Sequence, residues 1–337
     1  MSKVSVLGAG TWGTALAILL ANKGNDVTIW TKIENEAKAL DENRKAIKNL
    51  PGAELPEQVK ITLNLEEACT DKEIIVMAVA SPYIRATAHS AAPYIREGQI
   101  LVNVSKGIED GTLFTLSEVL KDEIPQADIA VLSGPSHAEE VSRGIPTTIV
   151  VGADTQHTAK TIQDTFMTDV FRVYISPDII GIELGASLKN VIALAAGIVD
   201  GLGFGDNTKA ALMTRGIAEI SRLGMTMGGK LETFAGLSGI GDLFVTCTSV
   251  HSRNWKAGNL MGQGRTMEEA MKEVNQVVEG VNSAKAARAL ARKYNVDMPI
   301  VEQINMVLFE GKTTKEAVTD LLMRDRRSEH NSLEWDN

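Results

Sequence analysis

Cysteine is almost missing from this chain: Cys69 and Cys247 are the only two, and they lie in separate contexts. That excludes a disulfide framework and a cysteine-rich zinc site, and it fits a reducing compartment, so a cytoplasmic location is expected. Aromatic residues are also scarce, at 4%. The cores must therefore be built from aliphatic and small side chains, with the 29 glycines allowing close backbone approaches. No basic tract offsets the formal charge of −9, which argues against nucleic acid as a main partner. An acidic chain that binds phosphates has to place a few Lys or Arg residues at the site itself. The longest small and apolar run, Val191 to Val199, is too short to cross a bilayer, and no membrane insertion is expected. A strand signal begins almost at Met1, so a signal peptide is not expected either.

What is present alternates between strand and helix signals in the first half. Val4–Leu7 is a short apolar strand, Ala15–Ala21 reads as the helix behind it, and Val27–Trp30 is the next strand. Further apolar runs at Ile74–Val79, Ile100–Val104, Ile129–Leu132 and Thr147–Val151 are mostly separated by helical stretches, and Phe171–Tyr174 reads as the last strand. Strands spaced in this way predict parallel pairing in a doubly wound α/β sheet. After Pro177 the strand signals nearly vanish. Ile179–Leu202, Thr208–Leu223, Thr266–Val274, Ser283–Tyr294, Pro299–Phe309 and Thr314–Met323 read as helices. The boundary is placed near residue 180: an α/β domain over 1–180, then an all-α domain over 181–337. The polar end, Arg326 to Asn337, is expected to fray.

Gly8-Ala9-Gly10-Thr11-Trp12-Gly13 is a G-x-G-x-x-G run that follows a strand and opens a helix. Gly8 permits the tight turn, Gly10 lets the backbone approach a pyrophosphate, and Gly13 lets helix and strand pack closely. In a βαβ context this is a dinucleotide site of the Rossmann type. NAD-preferring sites usually end the second strand with an acid, but here the chain reads Trp30-Thr31-Lys32. Lys32 is placed to meet a 2′-phosphate, although a plain surface lysine would look the same and Glu34 is two residues on. The expectation is NADP or NAD, with NADPH favoured.

Five further segments carry chemistry. Lys106 ends a buried strand, where ligands collect in open α/β sheets, yet an ordinary loop lysine fits as well. Ser133-Gly134-Pro135-Ser136 ends the next strand and offers N–H groups and a hydroxyl to an anion. His137 and Glu139 form an H-x-E pattern without any P-C-x-x-C, so no deaminase-type metal site is expected. Lys189 shares a helical stripe with Ile182, Ala186, Ala193 and Gly197. A lone lysine there faces a close-packed neighbour or a ligand, and burial lowers its pKa toward acid–base use, unless it snorkels to an edge. Asp242, at the mouth of a glycine-rich turn, is either functional or a helix cap. Ser252-Arg253-Asn254 reads as a polar turn that could grip a phosphate, or as plain surface.

Taken in order, these segments closely resemble glycerol-3-phosphate dehydrogenases of the bacterial type, over nearly the whole chain. The match includes Val104-Ser105-Lys106-Gly107, Glu183-Leu184-Gly185-Ala186-Ser187-Leu188-Lys189-Asn190, Leu212-Met213-Thr214-Arg215-Gly216, Gly239-Ile240-Gly241-Asp242-Leu243 and Val278-Glu279-Gly280. The resemblance implies interconversion of dihydroxyacetone phosphate and sn-glycerol 3-phosphate, with Lys189 as general acid/base. It implies substrate contacts from Lys106, Gly134, Ser136, Lys189, Asp242, Ser252, Arg253 and Asn254. It implies cofactor contacts from Thr11, Trp12, Lys32, Lys106, Ala138, Arg253, Val277 and Glu279, beside the three fingerprint glycines. Four positions depart from the common family pattern: Thr11 stands for Ser, Lys32 and Ile33 stand where His or Arg is frequent, and His137 stands for a frequent Phe outside the chemistry. A small-molecule phosphate substrate and a homodimer are expected. The rival readings are a related two-domain hydroxyacid dehydrogenase, in which Arg253 grips a carboxylate, and a nucleotide-sensing regulator, for which no output element is visible.

Overall fold

Apolar runs of four to seven residues become the strands β1 (Lys3–Leu7), β2 (Asp26–Trp30), β3 (Lys60–Thr62), β4 (Ile74–Met77), β5 (Ile100–Asn103), β6 (Asp128–Ser133), β7 (Thr147–Ala153) and β8 (Phe171–Ser176), β3 being shorter at three. The structure is a computed structural model that describes residues 1–45, 47, 48, 50–326, 328 and 329. One sheet contains all eight strands in the order β3-β2-β1-β4-β5-β6-β7-β8. The order reverses between β1 and β4, which opens a crevice at their carboxyl ends. Pairing is parallel except between β6 and β7, where Leu132 lies opposite Val151 in antiparallel register. That one pair departs from the parallel pairing read from the sequence, which the other pairs keep. The β6–β7 connection holds only one helical turn, too little to return the chain as a packed crossover helix does.

Helices α1 (Thr11–Asn22), α2 (Glu34–Glu42), α3 (Leu65–Cys69), α4 (Ile84–Ala91), α5 (Leu116–Glu123), α6 (Ala138–Val141) and α7 (Gln156–Phe166) lie between the strands. One face of the sheet buries a core around Leu16, Leu20, Val76 and Leu132, and the other a core around Trp30, Ile75, Leu101 and Leu120. After β8 every element among the described residues is helical: α8 (Ile179–Gly201), α9 (Asp206–Thr226), α10 (Leu231–Phe234), α11 (Asp242–Thr248), α12 (Arg253–Gly262), α13 (Met267–Val274), α14 (Glu279–Lys293), α15 (Pro299–Phe309) and α16 (Thr314–Leu322). Capping boxes at Thr115/Glu118, Thr266/Glu269 and Thr313/Glu316 start α5, α13 and α16. The segment read as frayed falls outside the described residues at 327 and from 330 onward.

Helix α8 is the axis of the second half. It is longer than the apolar run read from sequence, and by length and composition it could cross a membrane; 94% of its apolar window is instead buried inside the protein. Asp178 caps it by accepting from Gly181 N at 3.0 Å. The same carboxylate accepts from Lys230 N and Thr233 Oγ1, which ties the start of α8 to α10. Glycines bring α8 and α12 into backbone contact. A Cβ on Gly197 would stand 2.1 Å from the Trp255 carbonyl oxygen, and one on Gly258 2.0 Å from that of Leu194. This contact fixes the start of α12 beside the middle of α8.

Candidate active site

At the end of β1 the chain turns through Gly8 at φ +124°, a conformation L side chains avoid, and a Cβ there would lie 2.7 Å from the Ala78 carbonyl group. A Cβ on Gly13 would stand 2.1 Å from Gly8 O, so both glycines are needed for packing. Gly10 is the N-cap of α1, has open space where a side chain would be, and leaves the first turn without a side-chain cap. The orphan N–H groups of that turn, beside the switch point of the sheet, suit a dinucleotide pyrophosphate.

From here a cleft of about 310 Å³ runs to the helical half. Gly10, Thr11 and Trp12 line one end; Lys106, Lys189, Asp242 and Thr246 line the other. Ser136, Ala138, Ser252, Arg253, Asn254, Val277 and Glu279 also line it, so the structure brings together most of the residues singled out in the sequence. Gly8 and Gly13 lie outside the lining, close against Ala78, which belongs to it. Lys32 is exposed beyond β2 and lies off the lining. The end of β2 is not free of acid: Glu36, two residues into α2, accepts from Thr31 Oγ1 at 2.5 Å.

The chemical centre is a buried three-residue cluster. Lys189 is 5% exposed on α8, and Asp242, the first residue of α11, is 1% exposed. Asp242 Oδ1 lies 2.9 Å from Lys189 Nζ, and Oδ2 lies 2.6 Å from Lys106 Nζ. Lys189 also donates to Thr246 Oγ1, one turn beyond Asp242 on α11, and that hydroxyl donates to Asp242 O at 2.6 Å. Burial brings the Lys189 ammonium down to about 8, against the opposing pull of Asp242. Burial also pushes the Asp242 carboxyl up, but Lys106 and Lys189 outweigh it and hold the group below the ordinary carboxylate range. Two ammonium groups and one carboxylate leave a local positive charge in an acidic chain. Lys106 Nζ also reaches Gly134 O at 3.4 Å, where Gly134 turns at φ +147°. Ser136 Oγ donates to the same carbonyl at 3.0 Å.

On the facing wall the structure corrects one sequence reading. Ser252-Arg253-Asn254 is not a free turn: Ser252 is the N-cap of α12, accepting from Trp255 N at 3.2 Å, and Arg253 and Asn254 form its first turn. Arg253 is exposed and makes no ion pair among the described residues. Asn254 is buried; its Oδ1 accepts from Gly280 N at 2.8 Å and its Nδ2 donates to Asn190 Oδ1 at 2.9 Å. It therefore ties α12 to α14 and α8, with one amide hydrogen left over. Glu279 Oε2 accepts from Ser81 Oγ at 2.8 Å, and burial raises its carboxyl. His137 lines the cleft, and burial and then Lys189 lower its imidazole, which favours the neutral ring. Asn190 and Thr246 line the same space but were not singled out from sequence. Thr246 stands at helical spacing from Asp242, a signal that becomes readable once α11 is known to begin there. Among the described residues no group of His, Cys, Asp and Glu could hold a metal ion.

Two family models match the chain: the N-terminal part of NAD-dependent glycerol-3-phosphate dehydrogenase over residues 3–159, and the C-terminal part over residues 178–319. A glycerol-3-phosphate dehydrogenase (NAD(P)+) of Agathobacter rectalis is 61% identical over 335 residues, covering 99% of this chain and 100% of that protein. Its counterpart in Bacillus subtilis is 49% identical over 99% of this chain and 97% of its own length. The crystal structure of glycerol-3-phosphate dehydrogenase from Coxiella burnetii superposes with a TM-score of 0.91 at 36% identity, covering 96% of this chain and 99% of that one.

Proposed function

Since the chain belongs to the NAD-dependent glycerol-3-phosphate dehydrogenase family, we propose that it interconverts dihydroxyacetone phosphate and sn-glycerol 3-phosphate with NAD(P)H and NAD(P)+. In that role it supplies glycerol 3-phosphate for phospholipid synthesis. The observation that carries this reading is the Lys106–Asp242–Lys189 cluster at the end of a cleft whose other end is an uncapped helix N-terminus. When bound, the nicotinamide supplies or accepts the hydride at the substrate's C2. The protein's own residues then do three things.

Lys189 moves the proton. Protonated, it donates to the substrate oxygen as the carbonyl is reduced; neutral, it takes the hydroxyl proton during oxidation. An ammonium near pH 8 is poised for both directions. Lys106 adds positive potential beside that oxygen, and Asp242 fixes both lysines in one geometry. Arg253 and the first turn of α12 provide cation and N–H donors for the substrate's phosphate. Thr11, Trp12, Ala138, Val277 and Glu279 border the path of the dinucleotide, and Lys32 offers charge to a 2′-phosphate beyond it. This division of labour assigns most of the nucleotide binding to residues 1–180 and most of the substrate chemistry to the helices that follow, with Lys106 reaching the substrate from the first half and Val277 and Glu279 meeting the dinucleotide from the second. A cytoplasmic location and a homodimeric assembly belong to the same proposal; fractionation and sedimentation test them.

The deciding experiment follows oxidation of NADPH and NADH on addition of dihydroxyacetone phosphate, with a panel of 2-oxo acids alongside. Turnover with the phosphorylated ketone supports the reading. Turnover only with a 2-oxo acid, or none at all in protein that binds the cofactor, refutes it.

A further inference from the structure

Helix α8 carries more than Lys189. Six residues earlier it bears Glu183, an acid that is 5% exposed in an otherwise apolar stretch and outside the cleft lining. Glu183 Oε1 accepts from Asn103 Nδ2 at 3.1 Å and from Ser117 N at 2.9 Å, and Oε2 accepts from Ser117 Oγ at 2.5 Å. Asn103 ends β5 and folds over the loop that follows: its Nδ2 also donates to Ser105 O, and its Oδ1 accepts from Ser105 N, both at 3.1 Å. One turn along α8, Ser187 Oγ accepts from Gly107 N at 2.9 Å and donates to Gly107 O at 3.0 Å. The loop from Asn103 to Gly107 is thus held at both ends by a single helix, and Lys106 lies between the two grips. The same helix presents Lys189 to the same carboxylate that Lys106 meets.

We infer that Glu183 is a positioning residue: through Asn103 it holds the loop that bears Lys106, so that one rigid helix sets the separation of the two lysines. This rests on the dehydrogenase reading above. A buried acid is an expensive way to tie two elements together. Burial pushes the Glu183 carboxyl up, against the donors from Ser117, Thr115 and Asn103. An apolar residue would pack α8 against β5 without that cost, but it could not fix the backbone of a polar loop.

The test is a double-mutant cycle with an independent structural readout. Glu183→Ala and Glu183→Gln are made alone and with Lys106→Met, and kcat, KM and cofactor Kd are measured. We expect Glu183→Ala to lower kcat for ketone reduction by about tenfold or more with cofactor Kd unchanged, Glu183→Gln to recover most of it, and the Lys106→Met background to absorb most of the loss. Full additivity in that background, or wild-type kcat in folded Glu183→Ala, overturns the inference. Should Glu183→Ala not fold, Ser187→Ala loosens the other grip and carries the same cycle. Amide hydrogen exchange at residues 104–107 requires no turnover: faster exchange in the variants supports the inference, and unchanged exchange overturns it. An inactive wild type would sink the dehydrogenase reading alone and leave the exchange result to decide the role of Glu183.

Discussion

Replacing Asp242 with Asn keeps the shape of the central bridge and removes its charge. The carboxylate lies 2.9 Å from Lys189 Nζ and 2.6 Å from Lys106 Nζ. At an effective dielectric of about 20, a charge pair at the longer distance is worth roughly 6 kcal/mol before desolvation is counted. Measured pKa shifts from an opposite charge at such range are smaller, about 1–3 units. Without Asp242 the main opposition to the burial and the Lys106 repulsion that bring Lys189 to about 8 is gone. Its pKa should therefore fall to roughly 5–7. Reduction needs the ammonium form, so activity is lost as pH rises through the lysine's pKa. At pH 7 the protonated fraction falls from about nine-tenths to between about one-half and one-hundredth, a loss of roughly 2- to 100-fold in kcat/KM. A more acidic ammonium donates more readily, which works against that loss, so the position of the limb discriminates better than its height. The assay is the pH profile of kcat/KM for dihydroxyacetone phosphate in both proteins. An alkaline limb that stays near pH 8 in folded Asp242→Asn refutes the assignment of that limb to Lys189 and of its pKa to this bridge.

Four further outcomes follow from the same geometry. Lys189→Ala should lower turnover by about 10²–10⁴-fold and leave cofactor affinity nearly unchanged; wild-type turnover in a folded variant removes Lys189 from the mechanism. Arg253→Ala should cost about 1.5–3 kcal/mol, one to two decades, in the preference for dihydroxyacetone phosphate over dihydroxyacetone. A full preference retained means that the phosphate is held elsewhere, and cofactor Kd measured in parallel separates any second contact. NADPH should serve at least as well as NADH, and Lys32→Glu should shift the ratio of specificity constants toward NADH by about tenfold or more; an unmoved ratio excludes a 2′-phosphate contact. Gly258→Ala places a Cβ 2.0 Å from Leu194 O, so urea unfolding should show at least about 1–3 kcal/mol of lost stability, and an unchanged midpoint would mean that α12 is not seated as described.

The nucleotide half was legible because its signals are local. A strand, a glycine turn and a helix start are adjacent in sequence, and the periods of the flanking runs agree with them. Lys189 was legible for a similar reason, as one charge on a stripe of small residues. Strand β3 was missed because Lys60–Thr62 is three residues with no apolar run. The antiparallel β6–β7 pair left no trace either, since a buried strand reads the same in both directions. Ser252 was misread as part of a turn because the run after it, Arg253-Asn254-Trp255-Lys256, hides an amphipathic start; its capping bond to Trp255 N reveals the helix. The partners of Asp242 were out of reach for a deeper reason. Lys106, Lys189 and Asp242 come from three segments, and only the closing of the helical half on the sheet gives the carboxylate two cations at once.

The glycine contact between α8 and α12 has a mechanical consequence. Where two backbones touch, no side chain is left to act as a cushion, and one helix cannot slide along the other by a fraction of a turn without collision. Lys189 and Asn190 on one helix and Arg253 and Asn254 on the other therefore travel as one rigid jaw. Any narrowing of the cleft around a bound molecule must pivot elsewhere. The remaining joints are the segments 249–252 and 275–278 that lead into α12 and α14. Enlarging the site for a bulkier substrate has the same constraint: the change has to be made in those rims, because the jaw itself cannot be widened.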